Sequence, residues 1–112
     1  MSQPFYIGGT EAAVTTAETT LVQQAMLNNT AWCLIVKADG GNSANVAVKV
    51  YKSVGPNAGF VELTALATTL AAGASTVIEY SADASQVIKV TANAASGTQS
   101  ASWDFGARSV AS

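Results

Sequence analysis

Residues 86–105, Gln86-Val87-Ile88-Lys89-Val90-Thr91-Ala92-Asn93-Ala94-Ala95-Ser96-Gly97-Thr98-Gln99-Ser100-Ala101-Ser102-Trp103-Asp104-Phe105, carry the clearest structural signal in the chain. Ala101, Trp103 and Phe105 alternate with Ser100, Ser102 and Asp104, the period of two that a strand with one buried face requires. Ile88, Val90 and Ala92 alternate with Lys89 and Thr91 in the same way. Between the two runs, Asn93 and Gly97 bound a short connector and tolerate a positive φ at little cost, so the stretch reads as a β-hairpin. Trp103 and Phe105 are its bulkiest inward residues. Truncating Trp103 is expected to hurt most, at about 3–5 kcal/mol, through lost burial and a cavity.

Upstream, residues 45–52 place Val46, Val48 and Val50 on one face with Lys49 and Tyr51 on the other. The turn-forming run Asp39-Gly40-Gly41-Asn42-Ser43 joins this strand, as a second hairpin, to the apolar stretch 31–38, which reads as a central strand buried on both faces. Residues 11–27 favour strand through Val14-Thr15-Thr16 and Thr19-Thr20-Leu21-Val22, although Leu21, Val22, Ala25 and Met26 could also line one face of a short helix. Shorter strands follow at 60–66 and 76–80, with turns at 28–30, 53–59, 70–75 and 81–85. No amphipathic helix separates them. The expected fold is all-β: a single antiparallel β-sandwich of about seven strands, immunoglobulin-like or jelly-roll-like, over residues 11–108. Residues 1–10, with Phe5, Tyr6 and Ile7 ahead of Gly8-Gly9, read as an extended N-terminal arm with a flexible joint, and 109–112 as a small polar tail. The expected core is Trp32, Val48, Val50, Ile78, Ile88, Val90, Trp103 and Phe105.

The 112 residues include only 11% charged side chains, about half the usual share, for a net charge of −2. Low charge over many Ser, Thr, Asn and Ala is what a surface covered by partner subunits presents, since a free monomer keeps clear of association by carrying more. The five cations form no basic run, so the electrostatic footprint of a nucleic-acid binder is missing. No window holds 18 uninterrupted apolar residues, and the N-terminus has neither a basic region nor an apolar region of signal-peptide length, so a product made without a signal peptide and outside the membrane is expected.

With no histidine and one cysteine, Cys33, the commonest general base, the commonest metal ligand and any internal disulfide are excluded. Cys33 reads as a buried small hydrophobe. The sequence holds no nucleophile elbow and no phosphate-binding glycine loop. Glu62 and Glu79 are carboxylates on strands, read as solvent-facing. Asp39-Gly40-Gly41-Asn42-Ser43 has oxygen ligands but lacks the further spaced carboxylates of a Ca²⁺ loop. Asn28-Asn29-Thr30 matches a glycosylation pattern and reads as a turn. No enzyme, cofactor or metal is implied. Tyr51 and Tyr80 join Phe5, Tyr6 and Ile7 as candidate interface residues, since exposed aromatics suit a protein interface, or a sugar platform in an adhesion module.

Val46-Ala47-Val48-Lys49-Val50-Tyr51, Leu70-Ala71-Ala72-Gly73-Ala74-Ser75-Thr76-Val77-Ile78 and the closing alternating pair resemble an immunoglobulin-like sandwich. The chain as a whole, short, His-free and rich in Ala, Thr, Ser and Val, resembles small structural proteins of tailed bacteriophages, including capsid decoration (cement) proteins and tail or neck proteins. That resemblance implies a non-enzymatic virion protein that binds other virion subunits, the major capsid protein first among them, as a homo-oligomer or symmetric assembly, with the arm as one contact. A carbohydrate-binding or adhesion module is the rival expectation.

Overall fold

Alternation produces strands wherever the sequence supplies it: β1 (Phe5–Val14), β2 (Thr19–Ala25), β3 (Ala31–Ala38), β4 (Val46–Ser53), β5 (Val61–Glu62), β6 (Thr68–Leu70), β7 (Ser75–Tyr80), β8 (Val87–Ala94) and β9 (Gln99–Arg108), in a computed structural model that describes residues 4–55, 58–80 and 87–108. Nine strands replace the expected seven. One extra comes from a break at residues 15–18 that splits the 11–27 stretch. The other arises because residues 60–66 give only Val61–Glu62 before a single 3-10 turn, Thr64–Leu66, with Thr68–Leu70 beyond it.

The strands form two antiparallel sheets packed face to face. Sheet A runs β1-β9-β3-β7; sheet B runs β2-β8-β4-β5, with β6 also on β4. The pairs β1 with β9, β2 with β8, β3 with β7, and β4 with β5 and β6 are nested one within the next, as though one long ribbon with its tip at β4–β5 had been rolled up. The pairings β3 with β9 and β4 with β8 close the roll. This is the jelly-roll order; the immunoglobulin order divides its strands differently.

Both expected hairpins are therefore arches. β8 belongs to sheet B and β9 to sheet A; β3 belongs to sheet A and β4 to sheet B. Gly97, at φ +63°, lets the chain cross from one sheet to the other. The 39–45 arch is pinned to the start of β9 by side chains. Asn42 Nδ2 donates to the Ser100 carbonyl at 2.9 Å while its Oδ1 accepts from the Ser100 N–H at 2.9 Å. Beside it the buried Gln99 accepts from the Ser43 N–H at 2.9 Å and donates to Ser43 Oγ and to the Ser96 carbonyl. Asn42 thus acts as an added rung of sheet A, which closes this end of the sandwich without a paired strand.

The residues 5–10 read as a flexible arm are instead the first half of an edge strand, paired with β9 from Phe5↔Ala107 to Glu11↔Ala101. The glycines there serve packing. A Cβ on Gly9 would lie 2.9 Å from the Trp103 indole, and one on Gly8 would lie 2.6 Å from both Tyr6 Oη and Asp104 Oδ1. The first three residues of the expected arm, the tail at 109–112 and the turn at 81–85 lie outside the described residues.

Between the sheets lie Trp32, Leu34, Val36, Ile78 and Phe105 from sheet A against Val46, Val48, Val50, Ile88 and Val90 from sheet B, all buried. Phe5, Phe105, Trp32 and Tyr80 form a row of rings across all four strands of sheet A, with centroid separations of 6.0, 5.8 and 5.4 Å in turn. Trp103 stands apart from this row. It shares the inward face with Phe105 but reaches beneath β1, an edge strand, and is only half-buried. β3 is also less buried than expected: its inward residues are covered, while Ile35 and Lys37 on the other face are open to solvent.

Candidate interaction surfaces

Register fixes what each sheet shows to its surroundings. The outer face of sheet A consists of three rows across β1, β9, β3 and β7: Tyr6-Gly106-Cys33-Glu79, Gly8-Asp104-Ile35-Val77 and Thr10-Ser102-Lys37-Ser75. Most of these side chains are small. Ile35 and Val77 stand directly opposite each other in the middle row, 40% and 58% exposed. Two carboxylates and one ammonium are the only charges in the three rows. At the Arg108 end of this sheet is a groove of about 400 Å³ whose lining includes Pro4, Cys33, Glu79, Gly106 and Arg108. Cys33 is half-buried there, and burial first, then the Glu79 charge, pushes its thiol above the ordinary value. A thiol so held stays protonated and slow to react near neutral pH.

The outer face of sheet B is polar and tied to itself. Glu18, in the break between β1 and β2, reaches over the sheet and accepts hydrogen bonds from Tyr51 Oη and Thr91 Oγ1. Lys89 Nζ lies 4.7 Å from the centre of the Tyr51 ring and 4.5 Å from that of Phe60, within cation–π range. The hydrogen bonds from Thr91 and Tyr51 hold the Glu18 carboxyl below its ordinary value, with Lys49 and Lys89 adding to the effect. Tyr51 moves the other way, from 10.0 to about 12, chiefly because its proton is bound to Glu18. Folded Tyr51 keeps its proton past the pH at which an unfolded tyrosine loses it, so its contribution to stability is complete below about pH 10 and declines as pH rises toward 12. The tyrosinate absorbance difference between the wild type and Tyr51→Phe should show a step near pH 12. Glu18→Gln should move that step down toward 10.0. A wild-type step already at 10.0 would show that the hydrogen bond is absent.

The five candidate interface residues do not converge. Tyr6 points outward from β1 at 71% exposure, with its hydroxyl donating to Asp104. Phe5 and Tyr80 face inward and cap the two ends of the aromatic row. Ile7 faces inward opposite Phe105 yet is 37% exposed, because nothing pairs with β1 on its far side among the described residues. Tyr51 lies on the other sheet. Glu62, opposite Tyr51, and Glu79, on sheet A, lie on different sheets. Asp39 Oδ2 accepts from the Gly41 N–H at 2.9 Å and Asn42 Oδ1 accepts from the Ser100 N–H, so this loop uses its side-chain oxygens to hold the arch. Sequence reasoning missed the Ile35–Val77 pair, since two β-branched residues on separate strands give no sign that they are neighbours facing solvent.

No protein-family model matches the chain, and no curated protein sequence does. Solved structures do. A protein of the Bacillus endospore appendages, which form disulfide-linked pili, superposes with a TM-score of 0.58 at 13% identity, over 96% of this chain and 88% of that one. The Yersinia pseudotuberculosis-derived mitogen superposes at 0.56 and 15% identity, over 100% of this chain and 91% of that one. A protein of the infectious bursal disease virus Gx strain reaches 0.44 at 15% identity, over 95% of this chain and 33% of that one. At such identities the first two establish a shared fold across nearly the whole of each chain.

Proposed function

We propose that this chain is a non-enzymatic structural subunit of a larger protein assembly, specifically a virion, in which it binds the major capsid protein as a decoration protein. The observation that carries the reading is the outer face of sheet A, where small side chains and the exposed Ile35–Val77 pair form a broad surface with three charges. Such a surface makes many weak contacts, which symmetry and multivalency add together. The likeness to an appendage protein supports the use of this fold as a repeated building block. The adhesion reading has less behind it, because Phe105 and Trp32 lie in the core and Tyr51 and Phe60 sit under Lys89, which leaves the described outer faces without a row of open rings.

The fold alters how the contact is tested. Deleting residues 2–9 would remove half of β1 and uncover the aromatic row, so a point change is needed. Purified protein should co-sediment saturably with empty shells of the major capsid protein from the same genome, and Ile35→Lys, whose ammonium faces Asp104 across the strand pair, should weaken that binding at least about tenfold without lowering the melting temperature. Absence of binding to such shells, together with a saccharide-dependent rise in melting temperature, would replace this reading with the adhesion module.

A further inference from the structure

We infer that copies of this chain join edge to edge through sheet A, with β7 of one copy pairing antiparallel to β1 of the next. The inference rests on the reading of the chain as an assembly subunit and names one of its contacts.

β1 and β7 are the end strands of sheet A. Soluble proteins blunt such edges with Lys, Pro, bulges or very short strands, because an open row of N–H and C=O groups recruits other strands. Among the described residues, neither edge strand carries Lys or Pro, and the one bulge lies at the far end of β1. β1 spans ten residues without Lys, Arg or Pro, and its one irregularity falls between Glu11 and Val14, which leaves Phe5–Glu11 regular. β7, Ser-Thr-Val-Ile-Glu-Tyr, also lacks Lys and Pro and is rich in β-branched residues.

Polarity and register then select the partner. Sheet A has four strands, each antiparallel to its neighbour, so its two edges run in opposite directions. A second copy displaced along the rows of the sheet therefore presents its β1 antiparallel to the β7 of the first. Continuing the rows sets Thr10 of the second copy against Ser75, Gly8 against Val77 and Tyr6 against Glu79 on the outer face. On the inner face it sets Ile7 against Ile78 and Phe5 against Tyr80. No like charges meet. The half-exposed Ile7 gains an apolar neighbour, and the ring row Phe5-Phe105-Trp32-Tyr80 continues into the next Phe5. Pairing β1 with itself about a two-fold axis would leave every β7 edge open. The β7-to-β1 contact is heterologous and leads to chains of subunits.

The test combines association with a covalent report of register. In a Cys33→Ser background, Thr10→Cys with Ser75→Cys should give, on oxidation, a ladder of disulfide-linked multimers on a non-reducing gel, while either cysteine alone should stay at single-chain mass. Ile7→Lys should weaken self-association at least tenfold in a light-scattering dilution series. Its melting temperature should hold, because the lysine stem can still cover Phe105 while the ammonium reaches water. Association without the ladder, or dimers formed by a single cysteine, would place the contact elsewhere and overturn the inference. So would wild-type protein that keeps single-chain mass at every concentration, even if it fills sites on a shell, and in that case the structural reading would stand without this contact. A ladder in a protein that binds no shell would keep the edge contact and remove the virion.

Discussion

Phe105→Ala is expected to lower the unfolding free energy by about 3–5 kcal/mol, the range for an aromatic removed from a core that cannot collapse around the gap. Phe105 is fully buried on β9, second of the four strands of sheet A, and its ring lies 6.0 Å from Phe5 and 5.8 Å from Trp32. Its strand neighbours are Ile7 and Leu34, so the cavity would open beneath β1 and β3 together. Neither strand can move in to fill it, because both are held in register with β9 along most of their length. Trp103→Ala should cost less, about 2–3 kcal/mol, because the indole is only partly buried and part of its apolar area is already in water. Urea unfolding of the two variants orders them directly. Equal losses would mean that Trp103 is as deeply packed as Phe105.

That ordering reverses the one the alternating pattern implied, and the reason is general. Period-two alternation shows that Trp103 and Phe105 share a face of β9, but burial depends on what lies across from that face. Phe105 is flanked by the side chains of Ile7 and Leu34 and by the Phe5 and Trp32 rings; Trp103 has Gly9 as its neighbour on β1, which offers no side chain to cover it. The same ignorance of partners produced the two false hairpins. A connector of about five residues with Asn and Gly can close the roughly 5 Å between paired strands or span the roughly 10 Å between sheets, and its composition is the same for both. Strand positions and inward residues such as Val48, Val50, Ile88 and Val90 were legible because they depend on local alternation. The pairing of β8 with β2 and of β9 with β1 was not, because it depends on contacts across most of the chain. Gly8-Gly9 was misread for a related reason. Glycine next to apolar residues resembles a joint until Trp103, Tyr6 and Asp104 are seen to occupy the space a Cβ would need.

Of the interaction surfaces, low charge was legible from composition, but its location was not. Ile35 and Val77 become a patch only when β3 and β7 pair, 42 positions apart in sequence. Glu18 showed nothing in the sequence of its hold on Tyr51 and Thr91, because it lies in an irregular break and reaches across to the opposite side of the fold from β1.

Gln99→Ala should cost about 1–3 kcal/mol, more than a polar residue outside the apolar core ordinarily would, because a buried amide that makes three hydrogen bonds is removed. Gln99 is 4% exposed and forms hydrogen bonds in three directions: from the Ser43 N–H at 2.9 Å, to Ser43 Oγ at 3.2 Å and to the Ser96 carbonyl at 3.0 Å. Those partners belong to both arches, 39–45 and 95–98, so one amide joins the two places where the chain changes sheets at this end. Ser43 and Ser96 are themselves exposed, so water can reach the Ser43 N–H and the Ser96 carbonyl once the amide is gone, and what is lost is the net worth of the hydrogen bonds, about 0.5–1.5 kcal/mol each less what water restores. Gln99→Glu discriminates between packing and hydrogen bonding, since it keeps the shape and the acceptor toward the Ser43 N–H but places a carboxylate where a donor faced the Ser96 carbonyl. Both variants should unfold earlier in urea and lose hydrogen-exchange protection first at the Ser43 and Ser100 amides. A Gln99→Ala variant within about 0.5 kcal/mol of wild type, the level of an ordinary surface change, would show that the arches hold without it. The fold would then depend on the nested strand pairs alone to set where the chain crosses between sheets.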